Sequence, residues 1–121
     1  MQGPPLSGES DPTGIEADND RDVNTATPIS EPVLYNLTIV GPGNTVSVAN
    51  MRGAVLRRGT AGSIYNMILE GWPVGGVDVR DQATFDLALA MPPRLFANDT
   101  IFFANGPTGV EHFVDSAPDA F

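Results

Sequence analysis

The sequence has no cysteine and no lysine, and aromatic residues make up only 7% of its 121 positions. Without cysteine there is no disulfide framework, zinc–thiolate site, iron–sulfur cluster or thiol nucleophile. Positive charge is scarce: six arginines stand against fifteen Asp and Glu, for a net charge of −9. Such a balance repels phosphate backbones and anionic membrane surfaces, which argues against a nucleic-acid partner. No stretch approaches the ~20 apolar residues of a membrane span. The opening MQGPPLSGESDPTG has neither the basic nor the apolar region of a signal peptide. The expectation is a cytosolic protein or an interior piece of a longer chain.

What the chain does have is turn chemistry. Thirteen glycines and eleven prolines point to a turn-rich β protein rather than a helical bundle, and the length suits one domain with a modest core. Residues 1–31 carry seven acids and one base with few core formers. This composition predicts an acidic, poorly ordered N-terminal arm or cap. From residue 32 to 121, β-branched and apolar runs alternate with Gly, Pro and Asn, as short strands joined by tight bends require.

That second part repeats itself. Val33-Leu34-Tyr35-Asn36, Ser63-Ile64-Tyr65-Asn66 and Leu95-Phe96-Ala97-Asn98 each run into a second short apolar strand ending near glycine, with Asn-to-Asn spacings of 30 and 32. Asparagine tolerates the left-handed backbone of a sharp bend, so Asn36, Asn66 and Asn98 are expected as structural bends whose amides stack along the axis. A second motif recurs as Gly53-Ala54-Val55-Leu56-Arg57, Gly76-Val77-Asp78-Val79-Arg80 and Gly109-Val110-Glu111-His112-Phe113. Three strands per turn, stacked about 4.8 Å apart, make a parallel solenoid. Within residues 81–90 the period changes to that of a short helix, with Thr84 able to cap it and Pro92-Pro93 ending it.

The Asn-bend repeats, the glycine-terminated strands and the phrases GAVLRRGTAGSIYN and YNLTIVGPG resemble the right-handed parallel β-helix proteins of pectate-lyase-like architecture. More narrowly, they are similar to large secreted bacterial β-helix proteins. The resemblance covers about residues 16–115 and implies an all-β fold: a right-handed parallel β-helix of about three coils with one short helical insertion. It also implies an extracellular or cell-surface location and a fragment of a longer chain whose further coils are missing. Pectate lyases imply calcium held by acidic residues and an arginine or lysine base. This sequence departs from that pattern, having no lysine and no acidic cluster on the repeated strands.

Alternation along the second motif sends Ala54, Leu56, Val77, Val79 and Val110 inward and Val55, Arg57, Asp78, Arg80 and Glu111 outward. Arg57 then stacks on Arg80 and Asp78 beside Glu111, and diagonal Arg57–Asp78 and Arg80–Glu111 pairs, or an anionic ligand, would settle the column. It is either a solvated salt-bridge ladder or a groove whose arginines grip an acidic polysaccharide. Trp72 follows Gly71 in a loop, where an indole can stack on a sugar or pack on the solenoid. Asp18, Asp20 and Asp22 space carboxylates as calcium ligands are spaced, although Val23 stands where an EF-hand loop needs glycine; the alternative is a solvated arm. His112, the one histidine, has no serine or cysteine partner in a recognisable motif, so no catalytic residue is assigned. The leading expectation is a non-catalytic segment of an exported β-helix protein that presents a strand face to a polysaccharide or cell-surface component. The alternatives are a calcium-assisted polysaccharide lyase or glycoside hydrolase with its site partly on missing coils, and a structural stalk.

Overall fold

The computed structural model describes residues 13–43, 51–110 and 113–115. Its strands fall into three parallel sheets that the chain visits in rotation. Sheet A contains β1 (Thr13–Asp18), β4 (Arg52–Arg57), β7 (Gly75–Val79) and β10 (Phe113–Asp115). Sheet B contains β2 (Val33–Tyr35), β5 (Gly62–Tyr65) and β8 (Leu95–Asn98), and sheet C contains β3 (Thr38–Val40), β6 (Ile68–Glu70) and β9 (Ile101–Phe103). Each coil is one strand from each sheet, and β10 opens a fourth. This is the parallel β-helix that the repeats predict, with one short helix among the described residues, α1 (Gln82–Leu89), inserted in the third coil.

The bends between sheets B and C set the pitch. Asn36 (φ 58°) and Asn66 (φ 54°) sit in the left-handed region, where a short polar side chain is tolerated at least cost. The Asn66 amide donates to Asn36 Oδ1 at 3.2 Å, and Asn36 N–H donates to the Tyr65 carbonyl at 3.1 Å. The third bend is corrected by one residue. Tyr65 pairs with Asn98, which ends β8, and the left-handed residue is Asp99 (φ 53°). The repeat therefore advances 30 residues from Val33 to Ser63 and 33 from Ser63 to Phe96. Asn98 and Asp99 are neighbours of equal aptitude for that backbone, so the sequence pattern alone favours neither.

Two further expectations change. Residues 13–18 form the first strand of sheet A, with Ile15 opposite Ala54 and Asp18 opposite Arg57, so the solenoid begins inside the acidic segment assigned to an arm. The residues after it are held by Asn19, whose amide donates to the carbonyls of Asn24 and Ala26 at 3.0 Å each while its Oδ1 accepts from Ser30 N–H at 2.9 Å. The last copy of the second motif is also displaced: Phe113, not Val110, pairs with Val77. Val110 is 68% exposed rather than inward and makes a lone bridge to Asn105.

The core is the inside of the coil. Met67 and Leu69 of the second coil are fully buried, with Ala54, Leu56, Ile64, Val77 and Leu95 beside them. A fully buried side chain of this size contributes about 1.5–3 kcal/mol relative to exposure. Helix α1 begins at Asp81, whose carboxylate accepts from Thr84 N–H at 2.9 Å. Thr84 is thus not the cap; its hydroxyl oxygen accepts from Gly59 N–H at 2.9 Å, and so ties α1 to the turn after β4.

Candidate functional site

The outer face of sheet A carries the charges that the alternation predicts, but along β4 and β7 it is largely closed to solvent, while Glu16 on β1 stays exposed. Val55 and Asp78 are 1% and 0% exposed and Arg80 is 6% exposed. Asp78 Oδ2 receives Arg52 Nε at 2.5 Å and Arg80 Nε at 3.0 Å. The diagonal Arg57–Asp78 pair does not form. Arg57 instead reaches down one coil to Asp18 at 2.9 Å and to Glu16, and Arg58 joins Asp18 from the following turn. The reason is the extra strand: β1 supplies Asp18 directly opposite Arg57 and Glu16 diagonal to it, so Arg57 finds two carboxylates on that side. Along β4 and β7 this face is a set of ion pairs rather than an open groove, although the buried Arg52 Nε, close as it is to Asp78, is not in hydrogen-bonding geometry. Glu111 and His112 lie outside the described residues.

The turn that carries Arg58 is tight. Arg58 (φ 58°) and Gly59 (φ 75°) are both left-handed, and Thr60 N–H donates to the Arg57 carbonyl at 3.2 Å, the pattern of a type I′ turn. Arg58 N–H donates to Asp81, so one carboxylate caps α1 and fastens the turn. A Cβ on Gly59 would lie 1.9 Å from the Asn24 carbonyl oxygen, which makes glycine obligatory.

Trp72 is 6% exposed and forms part of the core, so it is not available to stack on a sugar. It packs over a column of glycines: Cβ atoms built on Gly14, Gly41 and Gly53 would fall 2.9, 2.9 and 3.1 Å from the indole. Its backbone N–H donates to Asn105 Oδ1 at 3.1 Å, and the Asn105 amide donates to the Leu69 carbonyl at 2.9 Å. Asn105 is fully buried and was not singled out by the sequence; its position seven residues beyond Asn98 resembles an ordinary loop asparagine.

Asp18, Asp20 and Asp22 do not converge. Asp18 is committed to Arg57 and Arg58, while Asp20 Oδ1 accepts from the backbone N–H groups of Asp22 and Val23 at 2.9 and 2.7 Å. Among the described residues no group of three or more acidic, histidine or cysteine side chains is placed to hold a metal. The every-second-residue spacing that suggested a calcium loop is, at Glu16 and Asp18, the alternation of a strand.

The open faces are those of sheets B and C. On sheet B the rings of Tyr35 and Tyr65 stack with centroids 4.7 Å apart and planes within 8°, and Phe96 meets Tyr65 edge-on at 5.7 Å. Tyr35 is 55% exposed and Val33 beside it 57%. On sheet C, Val40, Ile101 and Phe103 are likewise exposed. At the rim Arg94 Nη2 donates to Glu31 Oε2 at 2.6 Å, joining the third coil to the first. The Arg94 guanidinium holds the Glu31 carboxyl below its ordinary value, and Glu31 raises Arg94 in return.

A family model described as a pectate-lyase like beta helix domain matches residues 6–112. The chain belongs to that family. The match begins before β1, in agreement with a solenoid that starts within the acidic segment. No curated protein and no solved structure matches the chain. As a pectate-lyase-like β-helix domain it has an aromatic, uncharged strand face open on sheet B and a charged one on sheet A that is largely buried along β4 and β7. No helix among the described residues is long and apolar enough to cross a membrane.

Proposed function

We propose that this β-helix domain is a non-catalytic binding segment of an exported protein, which holds a neutral polysaccharide or a similarly uncharged cell-surface component against the outer face of sheet B. The observation that carries this reading is the aromatic group of Tyr35, Tyr65 and Phe96, in which Tyr35 and Tyr65 stack in register, Phe96 meets Tyr65 edge-on from the neighbouring row, and Tyr35 is half open to solvent. Aromatic rings give a sugar both an apolar surface for its C–H groups and, in tyrosine, a hydroxyl for hydrogen bonding. The stacking of coils sets these rings side by side across the face, an extended surface that suits a chain-like ligand.

An acidic polysaccharide fits less well. Arg52, Arg57, Arg58 and Arg80 are all engaged with carboxylates on sheet A, and the net charge of −9 repels polyanions. Affinity electrophoresis through gels containing neutral or acidic polysaccharides distinguishes the two. Retardation by a neutral glycan that is insensitive to salt and lost in Tyr35→Ala is the expected result. Retardation by acidic glycans alone, abolished by salt and unchanged in Tyr35→Ala, would sink the assignment to sheet B.

A further inference from the structure

The ion pair at the rim of sheet B differs from those on sheet A. The side chains of Arg52, Arg57, Arg58 and Arg80 are 7–19% exposed, whereas that of Arg94 is 41% exposed and its partner Glu31 44%. Arg94 meets Glu31 side-on: Nε donates to Oε1 at 3.3 Å and Nη2 to Oε2 at 2.6 Å. A guanidinium has five N–H donors and a carboxylate about four acceptor positions, so the pair keeps donors and acceptors for a ligand. A surface pair of this kind contributes little to stability, and its unused hydrogen-bonding groups are its distinctive chemistry.

Its place ties it to the aromatic face. Glu31, Val33 and Tyr35 are exposed, with Pro32 and Leu34 less open between them, so the outward alternation of β2 continues back to Glu31. Arg94 stands two residues before Phe96 as Glu31 stands two before Val33, and Val33, Ser63 and Phe96 lie in register across the sheet. The face therefore has a polar end formed by the pair, then the row of Val33, Ser63 and Phe96, then the stacked Tyr35 and Tyr65. At ~3.3 Å per residue, Glu31 lies about 13 Å from Tyr35 along the strand.

Taking the sheet B reading as its basis, we propose that Glu31 and Arg94 are the specificity-determining residues of that site and select neutral glycans with free neighbouring hydroxyls. One hydroxyl donates to a Glu31 oxygen while the next accepts from an Arg94 N–H. A hydroxyl can do either, so two adjacent hydroxyls match an acceptor and a donor fixed side by side, and hydrogen bonds to charged partners are the stronger kind. A glycan lying along the strands sets one sugar on the pair and a later one on the Tyr35 ring. Because the two charges cancel, the pair adds no attraction for a polyanion.

The test is affinity electrophoresis of the whole chain through gels containing galactomannan, xyloglucan or mixed-linkage glucan, each beside its O-methylated form, which keeps the sugar rings but cannot donate. The parent is expected to bind the free-hydroxyl form of one of them about tenfold more tightly than its methylated form, the size of one hydrogen bond to a charged group. The double variant Glu31→Ala/Arg94→Ala, which leaves no lone charge, should bring that ratio close to one while affinity for the methylated form, held by Tyr35, stays as in the parent. Arg94→Lys keeps the charge pair without the planar fork and should retain the urea midpoint but lose most of the ratio. The proposal is overturned if either variant keeps the parent's ratio, or if the double variant weakens both forms alike, because the pair then acts only as a strap between coils. A parent that binds both forms equally, with binding lost in Tyr35→Ala, overturns the role of the pair and leaves the sheet B reading standing. A parent that binds no neutral glycan overturns both.

Discussion

The outer faces of sheet A and sheet B invert the usual placement of charge and apolar surface. On sheet A the outward residues are largely ionic, and yet Asp78 is completely buried. On sheet B they are aromatic and aliphatic, and Val33 and Tyr35 are more than half exposed. Charge tolerates burial on sheet A because each carboxylate is met by arginines from the same or a neighbouring coil, whereas an unmatched charge there would be prohibitive. The apolar surface on sheet B has no such partner and is the kind of exposed patch that marks a contact site. In this solenoid, then, the composition of a face does not reveal its exposure.

The strongest way to break the contrast is to remove the centre of the closed face. Asp78→Ala leaves Arg52 and Arg80 without their shared carboxylate and should cost about 3–5 kcal/mol, read as a lowered urea midpoint. A loss below 1 kcal/mol would mean that the pairs are effectively solvated. Next is Asn105→Ala, which strands the Trp72 N–H and the Leu69 carbonyl and should cost about 1–3 kcal/mol by the same measurement. On the open face the expected stability effect is smaller. Tyr35→Ala removes one stacked ring and should cost about 0.5–1.5 kcal/mol, while abolishing glycan retardation; a loss as large as that of Asp78→Ala would show that the face is packed rather than open.

The smallest effect is at the rim. Glu31 has its pKa lowered in the folded chain, so its pairing with Arg94 supports folding above the ordinary carboxylate range and that support fades as pH falls through the depressed value. Glu31→Gln should flatten the acid limb of a stability–pH curve slightly, and leave stability at neutral pH almost unchanged for so exposed a pair. An unaltered acid limb in the variant would remove Glu31 from the account.

The solenoid and its Asn bends were readable because a left-handed two-residue bend constrains residue type at a fixed spacing. The third bend was misplaced by one residue because Asn98 and Asp99 suit that backbone equally. β1 was hidden because Glu16 and Asp18, seen without their partners, look like solvated charge; only Arg57 and Arg58, some forty positions later, make a strand of them. The open aromatic face could have been suspected from Tyr35 and Tyr65 at equal distance before Asn36 and Asn66. The closure of sheet A could not, because alternation gives the side of a sheet and not what lies against it. Trp72 was misjudged for a similar reason: the glycines that receive it are spread over residues 14–53 and carry no local signal.

That same indole touches Gly14 and Gly41 in the first coil and Gly53 in the second, while its backbone is held by Asn105 after the third. As the single tryptophan, it gives the chain a built-in optical probe that samples every complete coil at once. Stacked repeats can in principle melt one after another. If the Trp72 emission and the far-ultraviolet signal of the strands change at one temperature, the coils unfold as a unit; if the emission shifts first, a terminal coil has peeled away while the remainder stands.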